Sequence, residues 1–152
     1  MSEYEIIRLA PQDYHKCGNI WDMTKQSELT EQFYSEIIAH NRVVYVCVEN
    51  GEFIGEGALV FDNGDLDYTI PNRRVYLSRM IVKPERRGNG IGKAILDFLI
   101  SKATELDFAE MSVGVDKSNV IARHIYESKG FNTVIFDGAD EHGEYVKLLK
   151  IL

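Results

Sequence analysis

The sequence predicts a single α/β domain of the α+β kind, a mixed sheet with helices on its faces. Three observations predict it. The first half holds β-prone runs joined by a hairpin turn. The second half alternates strand-like runs with two amphipathic helix patterns. The length, 152 residues, is that of one domain. Such a chain buries about two-thirds of its unfolded surface.

Tyr4–Leu9 alternates loosely and reads as a short strand. Pro11 and Asp13 are helix-start residues, and the helix they open is expected to reach about Gln26. A second helix is expected over Thr30–His40, where Phe33, Ile37 and Ile38 share a face. Arg42–Glu49 is apolar on both faces, as a central strand is. Asn50-Gly51 is a hairpin turn into a strand over about Phe53–Phe61. Asp62–Asn72 is polar, contains Gly64 and Pro71, and reads as an exposed loop. Arg74–Val82 is a strand that ends at Pro84. Ile91, Ala94, Ile95, Phe98, Leu99, Ala103 and Leu106 form one apolar stripe of a helix over Gly90–Leu106. Glu110–Val115 alternates as a strand, and Asn119–Lys129 is a helix closed by Gly130. Phe131–Phe136 and Glu144–Ile151 read as two strands around the loop Gly138–Gly143.

No apolar run approaches the ~18 residues of a membrane span, and Met-Ser-Glu-Tyr-Glu lacks the basic and apolar regions of a secretory leader. Cys17 and Cys47 have neither a disulfide-framework nor a metal-type spacing and read as small core residues. The expected setting is cytoplasmic, without a metal. A net charge of −7 argues against nucleic-acid binding. The charge is uneven: residues 1–76 hold 6 Lys/Arg and 13 Asp/Glu, whereas 77–152 hold 11 of each. Seven basic residues and one acid, Glu85, lie within Arg73–Lys93, around a glycine-rich turn.

That turn, Arg87-Gly88-Asn89-Gly90-Ile91-Gly92-Lys93, lies between the strand and the first strong helix pattern. Glycines let a ligand approach the backbone, and a helix N-terminus offers unpaired N–H groups and partial positive charge. The combination suits phosphate. Two common phosphate motifs fail on spacing. The dinucleotide fingerprint from Gly88 meets Lys93 where its last glycine belongs, and the P-loop meets Arg87 and Ala94 where it needs Gly and Ser/Thr.

The residues that match are Arg87-x-x-Gly90-x-Gly92 after Met80-Ile81-Val82-Lys83-Pro84, followed by Asn119-x-x-Ala122-x-x-x-Tyr126-x-x-x-Gly130-Phe131. Together they resemble the GNAT family, the GCN5-related N-acetyltransferases. The resemblance is carried by Val75–Phe136, and the strand order fits over the whole chain. It implies a mostly antiparallel sheet in which one parallel pair, here Tyr76–Val82 and Glu110–Val115, splays apart. It implies acetyl-CoA as co-substrate. The pyrophosphate would rest on the backbone of Arg87, Gly88, Asn89, Gly90, Ile91, Gly92 and Lys93, and the pantetheine arm would lie along Met80, Ile81 and Val82. A backbone N–H of Met80 or Ile81 would face the oxyanion.

Asn119 and Tyr126 are nearly two helical turns apart and so share a face. Asn119 suits a helix N-cap, and the resemblance adds a pantetheine contact. Tyr126 resembles the family's general acid, which protonates the departing CoA thiolate; the competing reading is a core aromatic. A lysine-like amine costs roughly 4.6 kcal/mol to neutralise at pH 7, an α-amine only roughly 1 kcal/mol. The glutamates that relatives use as bases have no counterpart here: Val75–Val82 holds no carboxylate, and Gly114 stands five residues before Asn119. Glu56 is the remaining candidate base, acting through water, or else a solvent-facing strand residue. The four histidines read as surface or structural.

Acidic residues in the regions expected to shape the acceptor site (Glu28, Glu31, Glu36, Asp62, Asp65 and Asp67, with Asp140, Glu141 and Glu144 beyond them) suggest a cationic acceptor, an amine-bearing small molecule or peptide. A CoA-binding module without catalysis is the alternative. The apolar run Tyr145–Leu152 permits a homodimer.

Overall fold

A computed structural model describes residues 3–152. Seven strands form one sheet: β1 Tyr4–Arg8, β2 Arg42–Glu49, β3 Glu52–Val60, β4 Arg74–Val82, β5 Glu110–Asp116, β6 Thr133–Asp140 and β7 Gly143–Ile151. Their order is β1-β2-β3-β4-β5-β7-β6. Three α-helices join them: α1 Ser27–Ile38, α2 Ile91–Glu105 and α3 Val120–Ser128. The β4–β5 pair is parallel and has three rungs, from Arg74↔Glu110 to Tyr76↔Ser112. β4 continues to Val82 and β5 to Asp116.

Two compact units are distinguished within the chain. One comprises the residues up to Leu59 with Arg79–Leu99, the other Val60–Ser78 with Ile100–Leu152. In the first, α1 and a 3₁₀ helix, Pro11–Asn19, contribute Tyr14, Cys17, Phe33 and Ile37 to a core that β2 and β3 complete with Val44, Val46, Phe53 and Ala58. The expected helix over Pro11–Gln26 is thus a shorter one, with tight bonds such as Asp13 N–H to Ala10 O at 2.8 Å and Ile20 N–H to Cys17 O at 2.8 Å. β3 carries Gly57 where α2 comes closest: a β-carbon there would stand 2.7 Å from Leu99 Cδ1 and 2.9 Å from Ile95 Cγ2. The Asn50-Gly51 turn has φ of 53° and 77°, the left-handed pair a tight hairpin requires.

In the second unit β7 pairs with both β5 and β6. The apolar run expected to permit a dimer is therefore an interior strand, with Val146, Leu148 and Leu149 buried. β6 extends past its expected end at Phe136 and through Gly138–Asp140, where the sequence suggested loop; these residues pair in register with β7 down to Asp140↔Gly143. Their polarity reflects an outer strand whose residues are largely exposed.

Candidate active site

The glycine turn begins where β4 ends. Pro84–Arg86 form one 3₁₀ turn, and Gly88 and Gly90 have φ of 82° and 80° with open space on the side where a β-carbon would stand. These left-handed residues bring the chain round so that α2 starts at Ile91, which is buried while Gly88, Asn89 and Gly90 are exposed. The first helical bond is Ala94 N–H to Gly90 O, 3.0 Å. The N–H groups of the preceding turn have no intrahelical acceptor. Asn89 Nδ2 donates to Arg86 O at 3.1 Å, and Arg87 Nε to Val82 O at 3.0 Å, so both side chains brace the turn. Arg86 is committed to Glu49 in a two-pronged ion pair. Gly92 is half-buried and Lys93 exposed.

Met80, Ile81 and Val82 are half-buried. Directly before them Arg79 has φ 60°, a left-handed conformation that is costly for a residue with a β-carbon. Nothing in the sequence signals this kink in β4.

Glu56 is not the solvent-facing strand residue of the competing reading. It is only 2% exposed, and the indole N–H of Trp21 donates to it. Burial raises its pKa; the Trp21 hydrogen bond and the Arg79 and Arg42 charges oppose that rise. Arg79 lays its guanidinium over the Trp21 ring, 4.3 Å from the centroid, and its buried Nε has no acceptor among the described residues. Arg42 donates to Glu36 at 2.9 Å and stacks on Phe33 at 3.7 Å. Sequence reasoning missed Trp21 and Arg79. The available signal was one carboxylate inside the apolar run Phe53–Val60, since a charge in a central strand requires partners.

Beside this cluster a cavity of about 1160 Å³ opens in the same unit. Its walls come from the 3₁₀ helix, the turn after it, α1 and Lys83–Glu85.

The second unit holds Asn119 and Tyr126. Asn119 caps α3, its Oδ1 accepting from Ala122 N–H at 3.1 Å, which takes up the oxygen and leaves its amide N–H groups. Tyr126 is 7% exposed and meets Phe131 edge-on, centroids 5.6 Å apart. Burial, and secondarily Tyr76, push its pKa up to about 12. Of the expected acidic rim, Asp65 and Asp67 are taken up by Lys147 Nζ at 2.7 and 3.0 Å, and in the first unit Glu36 by Arg42. Among the described residues no group of His, Cys, Asp and Glu is arranged to hold a metal ion, and no helix is long and apolar enough to cross a membrane.

The model of the acetyltransferase (GNAT) family matches residues 4–131. The chain belongs to the GNAT family. Human N-acetyltransferase 8B is 27% identical over 124 residues, 81% of this chain; the chain spans about half (52%) of that relative's length. Among solved structures, an IAA acetyltransferase from Bacillus cereus superposes with a TM-score of 0.74 at 18% identity, covering 99% of this chain and 100% of that one. A GNAT family acetyltransferase from Elizabethkingia anophelis with acetyl-CoA bound gives 0.71 at 18% identity, with 98% of each chain covered. These likenesses show the GNAT fold: the seven-stranded, mostly antiparallel sheet with one parallel pair is as the resemblance implied.

Proposed function

We propose that this GNAT chain is an acetyl-CoA-dependent N-acetyltransferase in which a primary amine attacks the thioester directly. The observation that carries the reading is the turn Arg87–Lys93: two left-handed glycines, open space beside them and a free helix N-terminus form a seat for a pyrophosphate. The bound acetyl-CoA of the Elizabethkingia relative supports acetyl-CoA as the donor. The backbone of Gly88, Asn89, Gly90, Ile91 and Gly92 would hold the phosphates, with Arg87 and Lys93 adding charge. Met80–Val82 would hold the pantetheine arm, with Asn119 as a further contact through its amide.

In the reaction the amine nitrogen bonds to the acetyl carbon and the C–S bond breaks. A backbone N–H at Met80 or Ile81, next to the Arg79 kink, would steady the oxyanion. Tyr126, kept protonated by its burial, would give its proton to the departing thiolate. Glu56 would accept the amine's proton through water; burial raises its pKa and so its affinity for that proton. The acceptor is cationic. Glu31 and Asp22 on the cavity wall support this, although part of the acidic rim is internally neutralised.

Thiol release from acetyl-CoA against a panel of amines tests the reading. Amine-dependent release is expected. Tight CoA binding with no release for any amine would instead make the chain a CoA-binding module.

A further inference from the structure

Trp21 is the only tryptophan of the chain. Its indole N–H ends on buried Glu56, and Arg79 covers its ring from a left-handed backbone position. A buried indole N–H needs an acceptor, so these neighbours hold the ring in one orientation. Trp21 also lines the cavity, together with Tyr14 and Tyr34, whose rings stack 6.3 Å apart. Three aromatic rings in one cavity favour a flat apolar guest.

The charges on the wall discriminate further. Asp22, Glu31 and Glu85 face one lysine, Lys83, which lies 3.4 Å from Glu85 and cancels it. Asp22 is held ionised by hydrogen bonds from Thr24 and Lys25. Glu31 has no hydrogen bond or ion pair among the described residues and stands three residues before Tyr34 on α1, hence beside it. A carboxylate next to an aromatic face attracts an ammonium and repels a carboxylate.

We propose that this cavity is the acceptor site, that Trp21 is its specificity-determining wall with Glu56 and Arg79 as positioning residues, and that it takes an amine borne on an aromatic or flat apolar body and rejects one bearing a carboxylate. The proposal rests on the acetyltransferase reading. It gives Glu56 a task that is separable from proton transfer.

The sole tryptophan reports on its own cavity. Trp21 emission is followed while 2-phenylethylamine, ethylamine or phenylalanine is added without acetyl-CoA. Half-saturation by 2-phenylethylamine is expected at a concentration at least about tenfold below the other two: below ethylamine because one ring is buried, and below phenylalanine because Glu31 and Asp22 repel its carboxylate. Equal response to ethylamine, or tightest binding of phenylalanine, overturns the proposal. Glu56→Leu is expected to shift Trp21 emission in the free protein and to raise acceptor KM. Glu56→Gln, which keeps an oxygen for the indole N–H, restores both whatever happens to kcat; identical emission and KM in the two variants removes the positioning role. Where Glu56→Leu does not fold, the ligand series on the unaltered protein decides alone. Preferential binding without any acetyl transfer removes the acetyltransferase reading and leaves the selectivity. Transfer to all three amines with equal KM does the reverse.

Discussion

The hydroxyl of Tyr68 lies 2.5 Å from the position a β-carbon would take at Gly114. Tyr68 comes from the loop before β4 and Gly114 from the middle of β5, so the glycine is where the strand makes room for the loop's phenol. Tyr68 cannot easily give way. Its ring packs on Tyr76 with centroids 4.3 Å apart, Lys147 Nζ lies 4.8 Å from its centre, and its carbonyl accepts from Ser112 Oγ at 2.6 Å.

Gly114→Ala should therefore destabilise the protein by about 1–3 kcal/mol, the usual range for overpacking, and lower Tm by several degrees. In a Tyr68→Phe background, where the clashing oxygen is gone, the cost should fall by more than half. A double-mutant cycle of Tm or denaturant midpoint reads the coupling. Additive costs would mean that Tyr68 is not what excludes a side chain at Gly114.

Lys147 latches the same loop. It is buried among Tyr68 and Phe136 and bonded to Asp65 and Asp67, which are both roughly two-fifths exposed. Lys147→Met should cost about 1–2 kcal/mol, the value of a charge-assisted bond discounted for solvent at the carboxylates. The pH dependence has a definite sign. Lys147 hydrogen-bonds to Asp65 and lowers its pKa, so this contribution is present above the unfolded value of about 3.9 and is lost as pH falls through the lowered folded value. Burial alone would lower the Lys147 pKa, but the bonds to the two aspartates outweigh it and raise it. That contribution is complete below about 10.4 and is lost as pH rises through the raised folded value. The stability difference between the parent and Lys147→Met should be flat from about pH 4 to about pH 10 and shrink on both sides. Denaturant unfolding across pH measures it.

The parts of the fold that were legible in the sequence are those fixed by local chemistry. Asn50-Gly51 dictates a left-handed hairpin, Gly130 at φ 99° closes α3, and Asn119 caps it. The glycine turn was legible because glycine adopts its left-handed conformation without the cost other residues bear. The cluster around Glu56 was not, because its members are brought together by the fold: Trp21 and Glu56 are 35 residues apart, and no periodicity links them. Arg79 shows the limit most clearly. Arginine is not a residue that marks φ 60°, so the kink in β4 follows from tertiary packing. The outer half of β6 was hidden for a related reason: a strand exposed along its length shows little alternation, and the register with β7 defines it.

Tyr126→Phe tests whether Tyr126 is the proton donor. With its pKa pushed up to about 12, the phenol is protonated throughout the working range, so it contributes no falling limb to the rate profile below about pH 10. Removing the hydroxyl should lower kcat by about 10- to 100-fold, at the weak end for general acid catalysis because a thiolate is already a fair leaving group. The acetyl-CoA Kd should stay within about twofold, since the ring and its edge-on contact with Phe131 remain. An unchanged kcat would leave Tyr126 as a packing residue only.

Gly90 separates backbone strain from ligand contact. At φ 80° a β-carbon there meets no atom within 4 Å, so Gly90→Ala carries only the cost of a left-handed alanine, about 1–2 kcal/mol. Gly51, at φ 77° in the β2–β3 hairpin and equally open, provides the matched control. Both variants should lose similar Tm. Only Gly90→Ala should weaken acetyl-CoA binding, by about tenfold or more in calorimetry, because its methyl group would occupy the face on which the phosphates are proposed to approach the N–H groups of the turn. If Gly51→Ala weakens acetyl-CoA binding as much as Gly90→Ala does, the loss is one of stability, and the pyrophosphate must be sought away from this turn.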